Sequence, residues 1–360
     1  MNALASKLAA LIRSVGPLSI ADYMAAALGD PEHGYYTTRN AIGLDGDFIT
    51  APEISQMFGE LIAIWCLTAY EAMGSPETVH LVELGPGRGT LMADLLRAAR
   101  THPAFRAAVS VHLVEMSPTL REAQRDRLTG LATPRWHDRL DQVPEGPLLV
   151  VANEFFDALP IRQFVKTEHG WRERVVGLND DGDLAFGVGA GTIDPAHLPS
   201  GADEVPVGAV AEINRPAEAI MAGLARRLRE SNGAAIVFDY GHTRSGFGET
   251  FQAVRAHRFA DPLDNPGECD ITAHVDFEVL ARTARSEGAR VHGPVTQGDF
   301  LLAMGLLERA GGLGHGKSPE VQEEIVTAVN RLAGPEEMGV LFKVLAVSAP
   351  TLKLPGFESL

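Results

Sequence analysis

Between residues 80 and 152, strand-length apolar runs alternate with helix-length amphipathic ones, and that alternation constrains the fold more than any other feature of the chain. His80-Leu-Val-Glu-Leu predicts a strand, Thr90 to Arg100 a helix, Val111 to Glu115 a second strand and Thr119 to Leu128 a second helix. Leu148-Leu-Val-Val-Ala predicts a third clear strand, with a weaker one near Pro134-Arg-Trp. A βαβαβ order built on mostly unbroken apolar strands predicts a parallel sheet covered by helices on both faces. The ligand crevice of such a sheet lies beyond the carboxyl ends of its strands, so function is expected in those loops.

After Pro160 the pattern changes to Gly- and Asp-rich turns around Gly177 to Pro206, with short strands such as Arg174-Val-Val-Gly. This predicts an inserted β-rich element, followed by a helix from Pro216 to Glu230. Ala234-Ala-Ile-Val-Phe-Asp-Tyr-Gly resumes the sheet and ends in acidic, aromatic and glycine residues at a sheet edge. Ala289 to Val295 and Val340 to Val347 read as final strands around a helical segment.

Composition removes several function classes. Lys plus Arg number 31 against 47 Asp plus Glu, a net charge of −16, which repels a phosphate backbone and argues against nucleic acid as a partner. The two cysteines, Cys66 and Cys269, are far apart in sequence, so neither a disulfide framework nor a cysteine-rich metal site is expected, and a reducing compartment fits best. No segment approaches the ~20 apolar residues of a membrane span, so no membrane insertion is expected. The N-terminal run Leu4, Leu8, Leu11, Ile12, with Lys7 and Arg13, continues through Ser19-Ile-Ala-Asp-Tyr-Met as a structural segment would, and no signal cleavage pattern follows it.

Chemistry enters at Val82-Glu83-Leu84-Gly85-Pro86-Gly87-Arg88-Gly89-Thr90, a strand, a G-x-G-x-G turn and a helix start. Glycines there permit positive φ and let backbone N–H groups approach a ligand at a helix N-terminus. A G-x-G-x-x-G dinucleotide fingerprint needs glycine at 90 or 92, where Thr90 and Met92 stand, and no Lys follows to make an NTPase loop. Glu83 is placed to orient the turn or accept from a ligand amine. Glu115, with Met116 beside it, is placed to bind both hydroxyls of a ribose, and Asp138 to accept from an adenine amino group. Together these resemble the S-adenosylmethionine site of class I methyltransferases. The expected fold is therefore α/β, a class I methyltransferase Rossmann-like sheet with an N-terminal helical extension and an inserted α+β subdomain. The expected boundaries are 1–75 for the extension over the active site, 76–160 and 232–360 for the core, and 161–231 for the insert.

The strand at 148–152 runs into Asn153-Glu-Phe-Phe-Asp-Ala-Leu-Pro, a position that faces the transferring methyl in class I enzymes. Asn153, Glu154 and Asp157 are the candidate catalytic residues. Two carboxylates suit a guanidinium acceptor, because they match its planar N–H fork. The bland alternative is that Glu154 caps a helix and Asp157 is solvated.

Several long motifs resemble the MidA-like family: Gly34-Tyr-Tyr-Thr-Thr, Gly46-Asp-Phe-Ile-Thr-Ala-Pro-Glu-Ile-Ser-Gln-Met-Phe-Gly-Glu, Glu83-Leu-Gly-Pro-Gly-Arg-Gly, Asn153-Glu-Phe-Phe-Asp-Ala-Leu-Pro and Asp270-Ile-Thr-Ala-His-Val-Asp-Phe. Mitochondrial members of that family dimethylate an arginine of the large hydrophilic subunit of respiratory complex I during its assembly. The resemblance implies S-adenosylmethionine as cofactor, held by Glu83, Gly85, Gly87, Gly89, Glu115, Met116 and Asp138. It also implies a protein substrate, and an N-terminal motif folded over the cofactor with Tyr36, Asp47, Thr50 and Glu53 near the site. The expected location is the bacterial cytoplasm, or the mitochondrial matrix in a eukaryote. Two other readings stay open: an assembly chaperone of the respiratory complex with a vestigial methyltransferase site, and a small-molecule methyltransferase. His242, His257 and His274 lack metal-ligand spacing, and no metal is expected. The pairs Trp65/Tyr70 and Phe155/Phe156 read first as core.

Overall fold

The computed structural model describes residues 1–38, 49–255 and 258–357, so Asp47 and His257 lie outside the described residues. The chain packs as two compact units, one made of Ile49–Phe156, Ile220–Thr243 and Val275–Leu360, the other of Met1–Phe48, Asp157–Ala219 and Arg244–His274.

The first unit is built on seven strands: β1 (Val79–Leu84), β2 (Val109–Val114), β3 (Arg135–His137), β4 (Leu148–Asn153), β5 (Ala234–His242), β6 (Arg290–Thr296) and β7 (Phe342–Ser348). Their order is β3-β2-β1-β4-β5-β7-β6, with the short strand Val275–Asp276 pairing off β5. β1 to β5 are mutually parallel, as the sequence predicts. The sheet as a whole is not parallel, because β7 runs antiparallel to both β5 and β6. An apolar run has the same pattern in either direction, so periodicity carries no information on strand polarity. β5 also lies inside the sheet, between β4 and β7, rather than along a side edge.

Helices α1 (Gln56–Ala72), α2 (Thr90–Ala98) and α3 (Pro118–Leu128) belong to this unit. Ser55 caps α1 by accepting from the Met57 N–H, and Ser117 caps α3 ahead of Pro118. On α1, Phe58, Leu61, Ile62, Trp65 and Cys66 are buried in one core with Leu81, Leu91 and Leu149. Each such side chain contributes roughly 2 to 3 kcal/mol of burial. A Cβ at Gly59 would lie 2.6 Å from the Asp94 Cβ, so glycine is what lets α1 approach α2. Phe58, Phe238 and Phe300 stack edge to face at 5.1 and 5.4 Å, joining α1 to β5 and the helix Gln297–Ala303. These contacts are why residues 49–75 pack with the sheet, a different partition from the sequence-based boundary at 75.

The second unit has its own core of Leu4, Leu8, Ile12, Ile20, Tyr23, Met24, Val176, Phe251 and Ile271. Helix Ala3–Val15 buries Leu4, Ala5, Leu8, Ala9 and Ile12, whereas Leu11 points outward at 44% exposure. The β-rich insert is a five-stranded antiparallel sheet in which Gly170–Leu178 pairs with Arg162–Thr167, Leu184–Val188 and the N-terminal strand Leu18–Ser19, and Val210–Ile213 pairs with Arg162–Thr167. Gln252–Arg255, Arg258–Ala260 and Asp270–Thr272 form a second small sheet. The expected insert at 161–231 is thus joined by residues 1–48 and 244–274, and its last helix, Arg215–Ser231, enters the first unit from Ile220.

Candidate active site

The turn after β1 follows the predicted geometry. Gly85, Gly87 and Gly89 all take left-handed φ values, +60°, +51° and +79°, where a side chain is strained. Gly85 N–H donates to the Val114 carbonyl at 3.0 Å, tying the turn to the end of β2. A Cβ on Gly85 would also stand 3.0 Å from the Phe155 ring.

Gly89 is the N-cap of α2 and has no side chain to cap with. Glu83 supplies that function from β1: it is 3% exposed and accepts from the backbone N–H of Met92, in the first turn of α2. Burial pushes its carboxyl up to about 8. This geometry favours orienting the turn, one of the two roles the sequence allows for Glu83. Its Oε2 is buried without a hydrogen-bond partner. Glu53, on the short helix Ala51–Ile54, accepts from the Thr90 hydroxyl at the start of α2, and Thr50 is the N-cap of that short helix.

Glu115 follows β2 directly. Its backbone N–H donates to the His137 carbonyl at 2.9 Å, and its carboxylate accepts from Ser117 N–H at 2.8 Å and Gln124 Nε2 at 3.2 Å. Burial raises its pKa, and those two donors oppose the rise. Met116 is 77% exposed, a large apolar side chain beside this acid. Asp138, after β3, accepts from Arg121 at 2.6 Å, and the same guanidinium donates through Nε to the Glu115 carbonyl at 2.8 Å.

At the end of β4, Asn153 Nδ2 donates to Glu154 Oε1 at 3.0 Å, while Asn153 Oδ1 is buried with no partner. Glu154 caps no helix; it stands at φ +50°, its N–H bonded to the Phe238 carbonyl at 2.9 Å. The N–H groups of Phe155 and Phe156 both donate to Asp239 Oδ2, at 3.2 and 2.9 Å. Asp239 is fully buried on β5, and this turn is what it holds.

The first unit contains Thr50, Glu53, Glu83, Gly85, Gly87, Gly89, Glu115, Met116, Asp138, Asn153 and Glu154. Tyr36 and Asp157 belong to the second unit. Asp157 is buried rather than solvated, and its carbonyl accepts from Ala273 N–H at 3.1 Å. Tyr36 donates its hydroxyl to Asp270 at 3.0 Å, and burial together with Asp270 and Asp157 raises its pKa well above the ordinary value.

Sequence reading missed Gln124, Arg121 and Asp239, whose roles depend on contacts between elements. It also missed a row of histidines. His80 Nδ1 lies 3.0 Å from His112 Nε2, and His112 Nδ1 lies 2.9 Å from His137 Nε2, across β1, β2 and β3. His80 Nε2 faces the Glu145 carbonyl at 3.2 Å. A carbonyl only accepts, so His80 carries its proton on Nε2, and the chain then places a proton on Nε2 of each neutral ring.

Orphaned buried oxygens on Glu83 and Asn153, a glycine turn with three left-handed residues and a held carboxylate at Glu115 fit a cationic nucleoside at the strand ends. A family profile described as S-adenosyl-L-methionine-dependent methyltransferase matches residues 61–295. The mitochondrial protein arginine methyltransferase NDUFAF7 of Danio rerio is 37% identical over 94% of this chain and 85% of its own length. The Homo sapiens protein of the same name is 37% identical over 96% and 83%. A solved superfamily member from Burkholderia thailandensis, bound to S-adenosyl-homocysteine, is 30% identical and superposes with a TM-score of 0.83 over 99% of this chain and 93% of that one. A second crystal structure from Burkholderia thailandensis gives 32% and 0.81. The chain belongs to the MidA-like family of S-adenosylmethionine-dependent methyltransferases, with the class I fold.

Proposed function

We propose that this enzyme methylates an arginine guanidinium nitrogen of a protein, in the first instance the large hydrophilic subunit of respiratory complex I or its bacterial counterpart. The observation that carries the reading is the end of β4, where Asn153 presents a buried, unpartnered Oδ1 and Glu154 is held at positive φ beside it. β4 pairs directly with β1, Leu84 opposite Ala152, so these residues follow the strand next to the glycine turn. The relatives named protein arginine methyltransferases support the acceptor class. Their names place those proteins in mitochondria, and nothing in them supports the cytoplasmic expectation. Among the described residues no helix is long and apolar enough to cross a membrane.

In this reading Gly85, Gly87 and Gly89 give the cofactor its backbone approach, Glu115 accepts from the ribose hydroxyls, and Asp138 accepts from the adenine amine. Glu83 shapes the turn from beneath. The bound cofactor supplies an electrophilic methyl on a sulfonium. Glu154 binds the N–H fork of the acceptor and favours the form in which one nitrogen carries a lone pair. Asn153 accepts a further N–H and fixes the direction of approach. Transfer is an in-line displacement, which asks mainly that the nucleophile be held ~3 to 3.5 Å from the methyl carbon. One N–H proton leaves for each methyl gained.

Two measurements test this. Mass spectrometry of the complex I subunit, from source cells with and without the gene, should show an arginine methyl mark that disappears with the gene. An unchanged subunit would move the substrate elsewhere. Glu154→Gln should bind S-adenosylhomocysteine as the parent does yet lose methyl transfer; equal loss of both would make Glu154 structural.

A further inference from the structure

Gln124, on α3, is fully buried, and each end of its amide is engaged. Its Nε2 donates to the Gly87 carbonyl at 2.7 Å and to Glu115 Oε2 at 3.2 Å. Its Oε1 accepts from the Trp136 indole N–H at 2.8 Å. An indole nitrogen only donates, so Trp136 decides which end of the amide is oxygen and aims both amide protons at Gly87 and Glu115. The Gln124 backbone also lies 3.5 Å from where a Cβ on Gly89 would stand. One side chain therefore joins the second glycine of the turn, the acid after β2 and the middle of β3, while its backbone packs on the third glycine.

We propose that Gln124 is a positioning residue for the cofactor, holding the Glu115 carboxylate and the Gly87 peptide in the orientation that receives the ribose. The inference rests on the assignment of Glu115 to the ribose hydroxyls. Glu115 has one carboxylate oxygen held by Ser117 N–H and the other by Gln124, so its rotation is stopped before a ligand arrives. Preorganisation of this kind spares the ligand the entropy of ordering the side chain. Removing the amide frees one carboxylate oxygen and leaves the Gly87 carbonyl buried without this donor. It also withdraws a donor that opposes the burial-driven rise in the pKa of Glu115.

The test is calorimetric binding of S-adenosylhomocysteine to the full chain between pH 5.5 and 8.5, for the parent, Glu115→Gln, Gln124→Met and Gln124→Glu. Gln124→Met should weaken binding ~10- to 100-fold, the range expected when a buried charge-assisted hydrogen bond is lost. Its affinity should also begin to fall at a higher pH than the parent's as Glu115 takes up a proton. Gln124→Glu should behave in the opposite sense. At pH 8 its carboxylate faces another carboxylate and a carbonyl, and binding is weak; as pH falls the introduced carboxyl gains a proton it can donate, and binding improves. A residue that merely packs would lower thermal stability while leaving both affinity and pH profile parallel to the parent, and that result would overturn the proposal. The Gln124→Glu inversion reads the proposal even if the methionine variant fails to fold. Normal binding by Glu115→Gln would instead remove the ribose assignment itself, and the inference with it. Weak binding by Glu115→Gln with normal binding by both Gln124 variants would refute the Gln124 role alone.

Discussion

His112 sits at the centre of the imidazole row, fully buried on β2, and burial holds its pKa down to about 4. His80, His137 and the nearby Arg135 and Arg227 lower it further in the same direction. A histidine whose folded pKa is depressed stays neutral in the fold while the unfolded chain takes up a proton. Its contribution is therefore fully present above the ordinary value of 6.5 and is lost as pH falls from there toward 4. At about 1.4 kcal/mol per pH unit, that interval amounts to roughly 3 kcal/mol. Replacing His112 with Leu keeps the volume but removes both imidazole bonds, at a cost on the order of 1 to 3 kcal/mol at pH 7. The informative quantity is the slope. Urea unfolding followed by circular dichroism at intervals from pH 4.5 to 7.5 should show the parent losing stability toward acid more steeply than His112→Leu, by about one proton. The gap between the two should narrow, and their order can reverse, near pH 4.5. Subtracting the profiles cancels the opposite trend from Glu83. Parallel profiles would mean that His112 takes up its proton equally in both states, and would refute the reasoning.

Two further outcomes follow from the glycine turn. Gly87→Val places a branched residue at φ +51°, where a side chain is strained, in the turn proposed to receive the cofactor, so calorimetry should detect no S-adenosylhomocysteine binding; undiminished binding would sink the turn assignment. Glu83→Gln replaces a carboxyl whose folded pKa is raised to about 8. The stabilising effect of that raised pKa is complete below the ordinary 4.5 and is lost as pH rises through 8. The amide removes this dependence, so the variant's melting temperature should hold up better than the parent's between pH 6 and 9, and an equal decline in both would contradict the buried, protonated acid.

The features legible in the sequence are those that local chain geometry imposes. Gly85, Gly87 and Gly89 announce a left-handed turn because few other residues tolerate one, and the apolar runs at 80–84, 111–114 and 148–152 announce buried strands. The positions of Glu115 and Asp138 are legible because each follows the end of a strand. The direction of β7 is not, since a buried strand reads alike in both directions. Nor is Gln124, whose meaning comes from contacts of a helix with the turn and with β3, nor are Asp239 and the row His80–His112–His137, whose meaning comes from the pairing of separate strands: His112 stands opposite Arg135, and His137 opposite Val114. Residues 49–75 show the same limit, because an amphipathic helix declares that it has a buried face without declaring which partner buries it.

β7 is the last of the seven strands in sequence but not in space. It fills the gap between β5 and β6, pairing from Ala234 opposite Ser348 to Tyr240 opposite Phe342. A ribosome delivers the chain in order, so β5 must wait through about a hundred residues of synthesis before its neighbour emerges. Until then one long side of β5, with its apolar run Ala-Ala-Ile-Val-Phe, keeps its N–H and C=O groups open to any other extended chain. A polypeptide halted before residue 342 would already carry the glycine turn, Glu115 and Glu154, and would still lack the strand that closes the open side of β5.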